Sequence, residues 1–439
     1  MKKGKLILYA CSGLGVNMLN IIVSSYLCSA LLVGGFDKNV ERWTYLNKDL
    51  VVAGLWSVLA FIAKIIDGLI DIPFSHFTDN LRTKWGRRKP SLVIGFVPMI
   101  VAYLLFLVPL HGHASILNTI WFAVLLCVFY GTYTLTMITY YATFSEIAQN
   151  EQEISLLSNV KSVCDVVYFC LGFALLPAFI SMGMNIRTVA LIFLPLSLTM
   201  LIPMFLLKEK PLADAPKLPK GERITVVKSF AFVLKDKSFI LWLCVLAVMN
   251  VGLQLFLSGI NEFFSTMKLN MTFIMASCFV PVPFTILLYN KVVKKRGLGF
   301  GFRYILVVFS AGMTLMYLCP FLPEQLRFPY AIMCALIVSV SIGSFFSVTY
   351  SVPSFCAALR RKENESSSSM YFAIQGLFEA ASAGLGASVI LVWLKKMAEH
   401  SGAMSYMTLI VAFFCMAAFA LSFLLPKSIT RLGKVESQA

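Results

Sequence analysis

The sequence predicts an all-α polytopic membrane protein, with twelve transmembrane helices in two pseudo-symmetric six-helix bundles. Three observations predict it. Of 439 residues, 59% are hydrophobic and only 13% charged, with a mean hydropathy of +0.82, more apolar surface than a soluble core absorbs. Apolar runs of about 20 residues or more recur along the whole chain, each long enough to cross the hydrocarbon layer as a helix. Between the sixth and seventh runs lies a hydrophilic stretch, residues 208–237, with eight Lys or Arg and several prolines.

In chain order the expected spans are 6–35, 50–77, 91–110, 115–145, 158–181, 186–207, 238–263, 270–290, 302–321, 328–357, 369–394 and 402–425. The first run is too long for a signal-peptide core and lacks a small-residue cleavage site, so it stays as span 1. The organisation that follows is an N-terminal bundle over 1–207, a cytoplasmic basic linker over 208–237, a C-terminal bundle over 238–425 and a cytoplasmic tail over 426–439. Within the linker the Pro-rich first half reads as irregular. Ile224 to Leu234 reads either as an amphipathic helix on the inner leaflet or as a plain tether.

The formal charge is +16, but the basic residues sit in short loops without the aromatic interleaving of a nucleic-acid surface. They read as topology. With the N-terminus inside, about 28 Lys or Arg fall on one side and about 8 on the other, which sets both termini in the cytoplasm. The expected location is the cell (plasma) membrane, with membrane lipids and a small-molecule substrate as partners, no nucleic acid, and a monomer as the working unit.

The eleven cysteines and four histidines are dispersed, without the spacing of a disulfide framework or a metal site. No GxSxG, HExxH or phosphate loop is present, so the chain does not read as an enzyme, and no cofactor is expected.

Span 2 stands apart. Lys64, Asp67 and Asp71 recur at helical spacings of three and four, on one face of a helix otherwise built of Ile, Leu, Phe and Ala. An ionisable side chain at mid-membrane costs roughly 2.5–3.5 kcal/mol on insertion scales, so this face needs a wet or paired environment. A transport pathway provides one. Two carboxylates a turn apart can coordinate Na⁺ through hard oxygen ligands, or share a proton because like charges at low dielectric hold one of them protonated. Asp67 and Asp71 are therefore the candidate cation-coupling pair for transported Na⁺ or H⁺, and the metal ligands if Na⁺ is the ion. The hydroxyls of Thr134 and Thr136 are candidate further ligands, with Lys64 as the internal charge that neutralises the empty site. The alternative is structural: Asp67 paired permanently with Lys64, locking span 2 to its neighbours.

The two halves echo each other faintly. The loop after span 2 reads DNLRTKWGRR and that after span 8 reads NKVVKKRGLG, placing Gly86 and Gly297 at matching positions. Two repeats facing a central cavity predict a binding site near the midplane.

From Asp67 to Pro90 the chain resembles the second span and following loop of the glycoside-pentoside-hexuronide:cation symporter family, the melibiose permease-like branch of the major facilitator superfamily. The matching residues are Lys64, Asp67, Asp71, Pro73, Trp85, Gly86, Arg87, Arg88, Lys89 and Pro90. Weaker likeness continues through YACSGLGVN in span 1, with Asn17 where the family carries an acidic sugar contact. TYTLTMITYYATFSEIA in span 4 supplies Tyr133, Thr134 and Glu146, and Lys161 stands where the family often has Arg.

The resemblance implies the major facilitator fold and cation-coupled symport of a sugar, glycoside or uronide by alternating access, with cation and substrate together stabilising the crossing state. It supports cation coupling better than sugar identity, because the acids that hold sugar in the family are Asn17 and Met137 or a neighbour here. In span 11 the family often has a membrane Lys, whereas this chain has Glu379. The resemblance also implies charge-pair gating by Asp79, Arg82, Arg87 and Arg88, which double as positive-inside signals.

Candidate substrate contacts are Asn17, Tyr133, Tyr141, Lys161, Gln375 and Glu379, since amides and aromatic faces suit sugars. Asn20, Tyr26, Tyr140, Asn250, Gln254, Asn261 and Glu262 are further polar or amphipathic positions, and many of these serve as glue between helices. Two other functions fit the same fold: symport of an amphiphile such as a lysophospholipid, favoured by the loss of the sugar acids, and a non-transporting membrane sensor.

Overall fold

A lone helix in lipid must satisfy its own backbone, so long spans tolerate breaks only where neighbours supply hydrogen bonds. The computed structural model describes residues 3–36, 40–81, 83–86, 88–143, 147, 160–161, 164–165, 167–207, 230–231, 233–359, 368–401 and 403–431, and for some helical residues the backbone alone. Among these residues eleven helices are long and apolar enough to cross a membrane. They are spans 1 (Lys3–Leu31), 2 (Ala53–Asp71, within a helix continuing to Asn80), 3 (Arg88–Phe106), 4 (Ile116–Tyr141), 6 (Ile186–Leu206), 7 (Lys237–Thr266), 8 (Met271–Arg296), 9 (Leu298–Phe321), 10 (Glu324–Phe345), 11 (Ala373–Ala398) and 12 (Ala403–Leu424). Span 5 is represented by a shorter apolar helix, Val167–Ser181.

The chain divides into two compact units, one of Met1–Val33 with Asn39–Pro219, the other of Gly34–Lys38 with Lys220–Ala439. The division falls inside the expected linker. One short segment departs from expectation: Gly34–Lys38, read as the end of span 1 and its loop, groups with the second unit. Linker residues 208–229 and 232 lie outside the described residues. Phe230, Ala231, Val233 and Leu234 are helical, and Asp236 then caps span 7 by accepting from the amides of Ser238 and Phe239 at 3.1 and 3.4 Å.

In the first unit, span 1 breaks at Ser12–Gly13 and is underwound into a wider turn at Ile22–Leu27. Neighbouring helices cap the carbonyls that the break frees. The Tyr140 hydroxyl lies 2.8 and 2.9 Å from the carbonyls of Tyr9 and Ala10, and Thr199 Oγ1 donates to Ser12 O at 2.8 Å. Spans 4 and 6 thereby set the direction in which the rest of span 1, including Asn17, leaves the break. Just beyond it span 1 meets span 6 so closely that a Cβ on Gly15 would lie 1.9 Å from the Leu196 carbonyl oxygen.

In the second unit, span 11 carries a similar wider turn at Leu385–Ile390, and a Cβ on Gly386 would lie 2.4 Å from the Val251 carbonyl oxygen of span 7. The small residues of this tract thus allow both bending and close approach. The helix of span 10 runs on to Leu359. Residues 360–367 lie outside the described residues, while Ser368 and Ser369 are already helical. The expected tail is folded at its start, where Lys427–Thr430 forms a helical turn with Ile429 fully buried. Residues 432–439 lie outside the described residues. Gly86 and Gly297, the echo between the halves, both hold positive φ, 92° and 87°, which L side chains adopt only with strain.

The span 1–span 6 contact should be intolerant of a single methyl. Gly15→Ala is expected to destabilise the protein by about 1–3 kcal/mol or more, lowering the melting temperature in detergent. Gly54→Ala, with no atom within 4 Å of its Cβ position, should leave it unchanged.

Candidate functional site

Among the described residues, three polar clusters hold most of the candidate site residues. In the first, helical spacing along span 2 sets Lys64 one turn before Asp67, and Lys64 Nζ lies 3.3 Å from Asp67 Oδ2. Span 4 completes the arrangement with residues four apart. Tyr130 presents its ring face 3.6 Å below the ammonium, and Thr134 Oγ1 donates to Asp67 Oδ1 at 2.9 Å. The Lys64 and Asp67 side chains are only 17% and 18% exposed, which limits screening of the pair. Asp71, a further turn along span 2, is half-buried and makes no hydrogen bond or ion pair among the described residues. Two carboxylates one turn apart thus share a helix face, and among the described residues only Asp67 of the two is paired with an ammonium.

Thr136 is not part of this cluster. Two residues on from Thr134, it is rotated by about 200° around the helix. Its hydroxyl donates to the Thr132 carbonyl at 2.7 Å and faces Gly95 of span 3. Only one of the two threonines therefore reaches Asp67.

The second cluster holds most of the candidate substrate contacts. Tyr133 donates to Asn17 Oδ1 at 2.9 Å and stacks on Phe129, so the residue beside Thr134 links span 4 to span 1. Tyr141 is 40% exposed, with Lys161 Nζ 4.9 Å from its ring centre. Lys161 is ion-paired to Asp165. Sequence reasoning missed Asp165, although its i,i+4 spacing from Lys161 was a usable signal. It places an acid in span 5 of a chain that lacks the expected acids in spans 1 and 4. Tyr26 and Tyr140, in contrast, spend their hydroxyls on backbone carbonyls, those of Gly172 for Tyr26 and of Tyr9 and Ala10 for Tyr140.

The third cluster is in the second unit. Gln375 Oε1 accepts from Trp242 Nε1 at 3.0 Å, while its Nε2 donates to the Thr349 carbonyl at 2.7 Å and to Glu379 Oε1 at 2.9 Å. Asn250 Nδ2 donates to the Glu379 carbonyl and to Ser382 Oγ, both at 2.8 Å. Gln375 thus ties spans 7, 10 and 11 together and orients the Glu379 carboxylate.

Of the candidate gating residues, Arg88 is buried at the start of span 3, with Nη1 3.4 Å from Thr78 Oγ1 near the end of span 2. Between them the loop makes a tight turn in which Thr83 and Gly86 exchange backbone hydrogen bonds at 3.1 and 3.2 Å. Arg82 and Arg87 lie outside the described residues. Asp79 is a helical backbone position whose side chain is likewise outside them, and so is Glu146.

Glu262 and Lys395 form a fully buried ion pair, Nζ to Oε1 3.2 Å. Glu262 is one of the polar span positions, while Lys395 lies one residue past the expected end of span 11 at 394. The helix in fact runs to Ser401.

Over residues 8–424 the chain matches the model of a family described as MFS/sugar transport protein. It is 24% identical over 165 residues to the lactose permease of Lactobacillus helveticus, covering 36% of this chain and 25% of that protein. To an uncharacterized symporter of Synechocystis it is 29% identical over 119 residues, 25% of this chain and 22% of that protein. The chain thus spans about a quarter of the length of the curated relatives it matches. Among solved structures it is similar to the nucleoside transporter NupG, with TM-score 0.62, 13% identity and coverage of 97% and 98% of the two chains. A bacterial homologue of the iron transporter ferroportin gives TM-score 0.61, 14% identity and coverage of 96% and 98%. The fold is that of the major facilitator transporters, and the chain is an integral membrane protein.

The span 2–span 4 cluster predicts strong coupling between its charges. Lys64→Met should lower the melting temperature, because it leaves a half-buried carboxylate unpaired, and Lys64→Met/Asp67→Asn should recover much of the loss. A double-mutant cycle on thermal stability is expected to give a coupling energy of about 1–3 kcal/mol.

Proposed function

The chain belongs to the MFS/sugar transport protein family, and from that premise we propose that it is a cation-coupled symporter of a sugar, glycoside or uronide. It would work by alternating access in the cell membrane, with both termini cytoplasmic. The observation that carries the reading is the convergence on Asp67 of an ammonium at 3.3 Å and a hydroxyl at 2.9 Å from two different spans, with a second carboxylate one turn away.

In the empty site Lys64 neutralises Asp67, while Thr134 donates its proton to the other carboxylate oxygen. An arriving Na⁺ competes with the ammonium for Asp67. The Thr134 hydroxyl then rotates its lone pairs toward the ion, and Asp71 adds the further hard oxygen that Na⁺ prefers. The displaced ammonium keeps the Tyr130 ring face 3.6 Å away, an attraction that survives loss of the carboxylate contact. If the ion is H⁺, one carboxylate of the pair takes the proton and the repulsion between the two is removed.

Substrate enters the same energetics through span 4. Tyr133 precedes Thr134, so a hydroxylated ligand that takes over the Tyr133–Asn17 hydrogen bond acts on the backbone that holds Thr134 against Asp67. The exposed Tyr141 face suits stacking of a sugar ring, and the Lys161–Asp165 pair offers donors and acceptors for its hydroxyls or for a uronate carboxylate. The reading is one in which ion and substrate share a helix and so bind cooperatively.

Proteoliposome uptake under an imposed Na⁺ or H⁺ gradient, screened over sugars, glycosides, uronides and lysolipids, tests this. Accumulation should follow one gradient. Asp67→Asn and Asp71→Asn should each abolish accumulation while exchange persists, and Thr134→Val should weaken activation by the ion about tenfold, the loss of roughly one hydrogen bond to a charged group. Accumulation of lysolipid alone would replace the substrate class. Gradient-independent uptake unchanged in both Asp variants would overturn symport.

A further inference from the structure

The least expected feature is the seat of Gly34–Phe36. The chain contributes this segment directly after span 1, yet it packs in the second unit, against the ends of spans 7 and 11 remote from the linker. What lies beneath it is the Glu262–Lys395 ion pair, 1% and 2% exposed. Gly35 sits at φ 89°, and a Cβ there would fall 3.3 Å from Glu262 Cβ and 3.2 Å from Met404 Cγ. Only glycine fits both the backbone angle and the space. Phe36, itself buried, lies with its ring centre 4.7 Å from Lys395 Nζ.

Two properties govern how this segment is held. A buried ion pair is strong only while it is dry, since attraction falls as the local dielectric rises, and here the strap is part of what excludes water. Strap and pair therefore stabilise each other. Beside the pair, Glu262 Oε2 and both polar side-chain atoms of the adjacent buried Asn261 have no hydrogen-bond partner among the described residues. Water admitted by lifting the strap would supply what these groups lack, offsetting the weakened pair.

We propose that Gly34–Phe36 is a latch over the second unit, held down by the dry Glu262–Lys395 pair and released when that pair hydrates. As a moving part of a transport cycle it rests on the symport reading above, and it adds Glu262, Lys395, Gly35 and Phe36 to the residues that set the rate of conformational exchange.

Met404, fully buried beneath Gly35, provides the probe. In purified protein in nanodiscs, Met404→Cys is labelled with a hydrophilic maleimide, and its labelling rate is followed by peptide mass spectrometry to separate it from the native thiols. With the native pair, labelling should be slow. With Glu262→Gln/Lys395→Met, which removes both charges at similar size, it should be roughly tenfold faster. Equal rates in the two backgrounds would overturn the latch. If the double variant is not recovered folded, Gly35→Ala, which keeps the ion pair but crowds Glu262, decides in its place: it should accelerate labelling similarly, and an unchanged rate would overturn the latch. The readout needs no substrate. Faster labelling beside gradient-independent uptake would sink the symport reading alone, whereas unchanged labelling beside coupled uptake would sink the latch alone.

Discussion

A carboxylate in the hydrocarbon layer must be compensated at close range, and Asp67 is where this chain meets that constraint. Its partners come from two helices: an ammonium one turn earlier on span 2, and a hydroxyl from span 4. The Tyr130 ring then holds the ammonium from the other side. Such an arrangement specifies the rotation of both helices about their axes, because turning either by a single residue, about 100°, would leave a charge facing lipid. The apolar remainder of each span tolerates many rotations. The charged face tolerates one.

The same constraint explains why span 4 is polar along so much of its length. Thr134 reaches Asp67, Tyr133 reaches Asn17, Tyr140 caps the broken carbonyls of span 1, and Tyr141 lies beneath Lys161. Tyr133 and Tyr140, seven residues apart, share the face toward span 1, while Thr134 and Tyr141 share the neighbouring face, so span 4 orients spans 1, 2 and 5 at once. Ion and substrate candidates therefore share a helix within the first unit. In the second unit the corresponding polar work is structural where it is best resolved, as in the Gln375 tie between three spans. The Glu262–Lys395 pair differs in having beside it polar atoms without a partner among the described residues.

How much of this was legible in the sequence follows the range of each signal. Hydropathy over about 20 residues and the i,i+3/i,i+4 spacing of Lys64, Asp67 and Asp71 are local properties, set by the rise and pitch of a helix, and they located the spans and the ionic face directly. Lys161–Asp165, four residues apart on span 5, belongs to the same class of local signal. Thr136 was misplaced because chain proximity to Thr134 says nothing of which face a residue occupies until the neighbouring helix is known.

By itself, then, the sequence determined a polytopic helical membrane protein, the places of its apolar spans, and a charged span 2 that lipid cannot solvate. All of these rest on composition and on periodicities that a helix imposes within a few turns. Only the tertiary structure decided that Thr134 and Tyr130 close the site around Lys64 and Asp67, that Asn17 meets Tyr133 across more than a hundred residues, and that Gly34–Phe36 leaves its neighbours in the chain to cover a buried ion pair. Those pairings join residues far apart in sequence. Their identity depends on which helix faces are brought together, and that is settled by packing and by the need to leave no charge alone in an apolar medium.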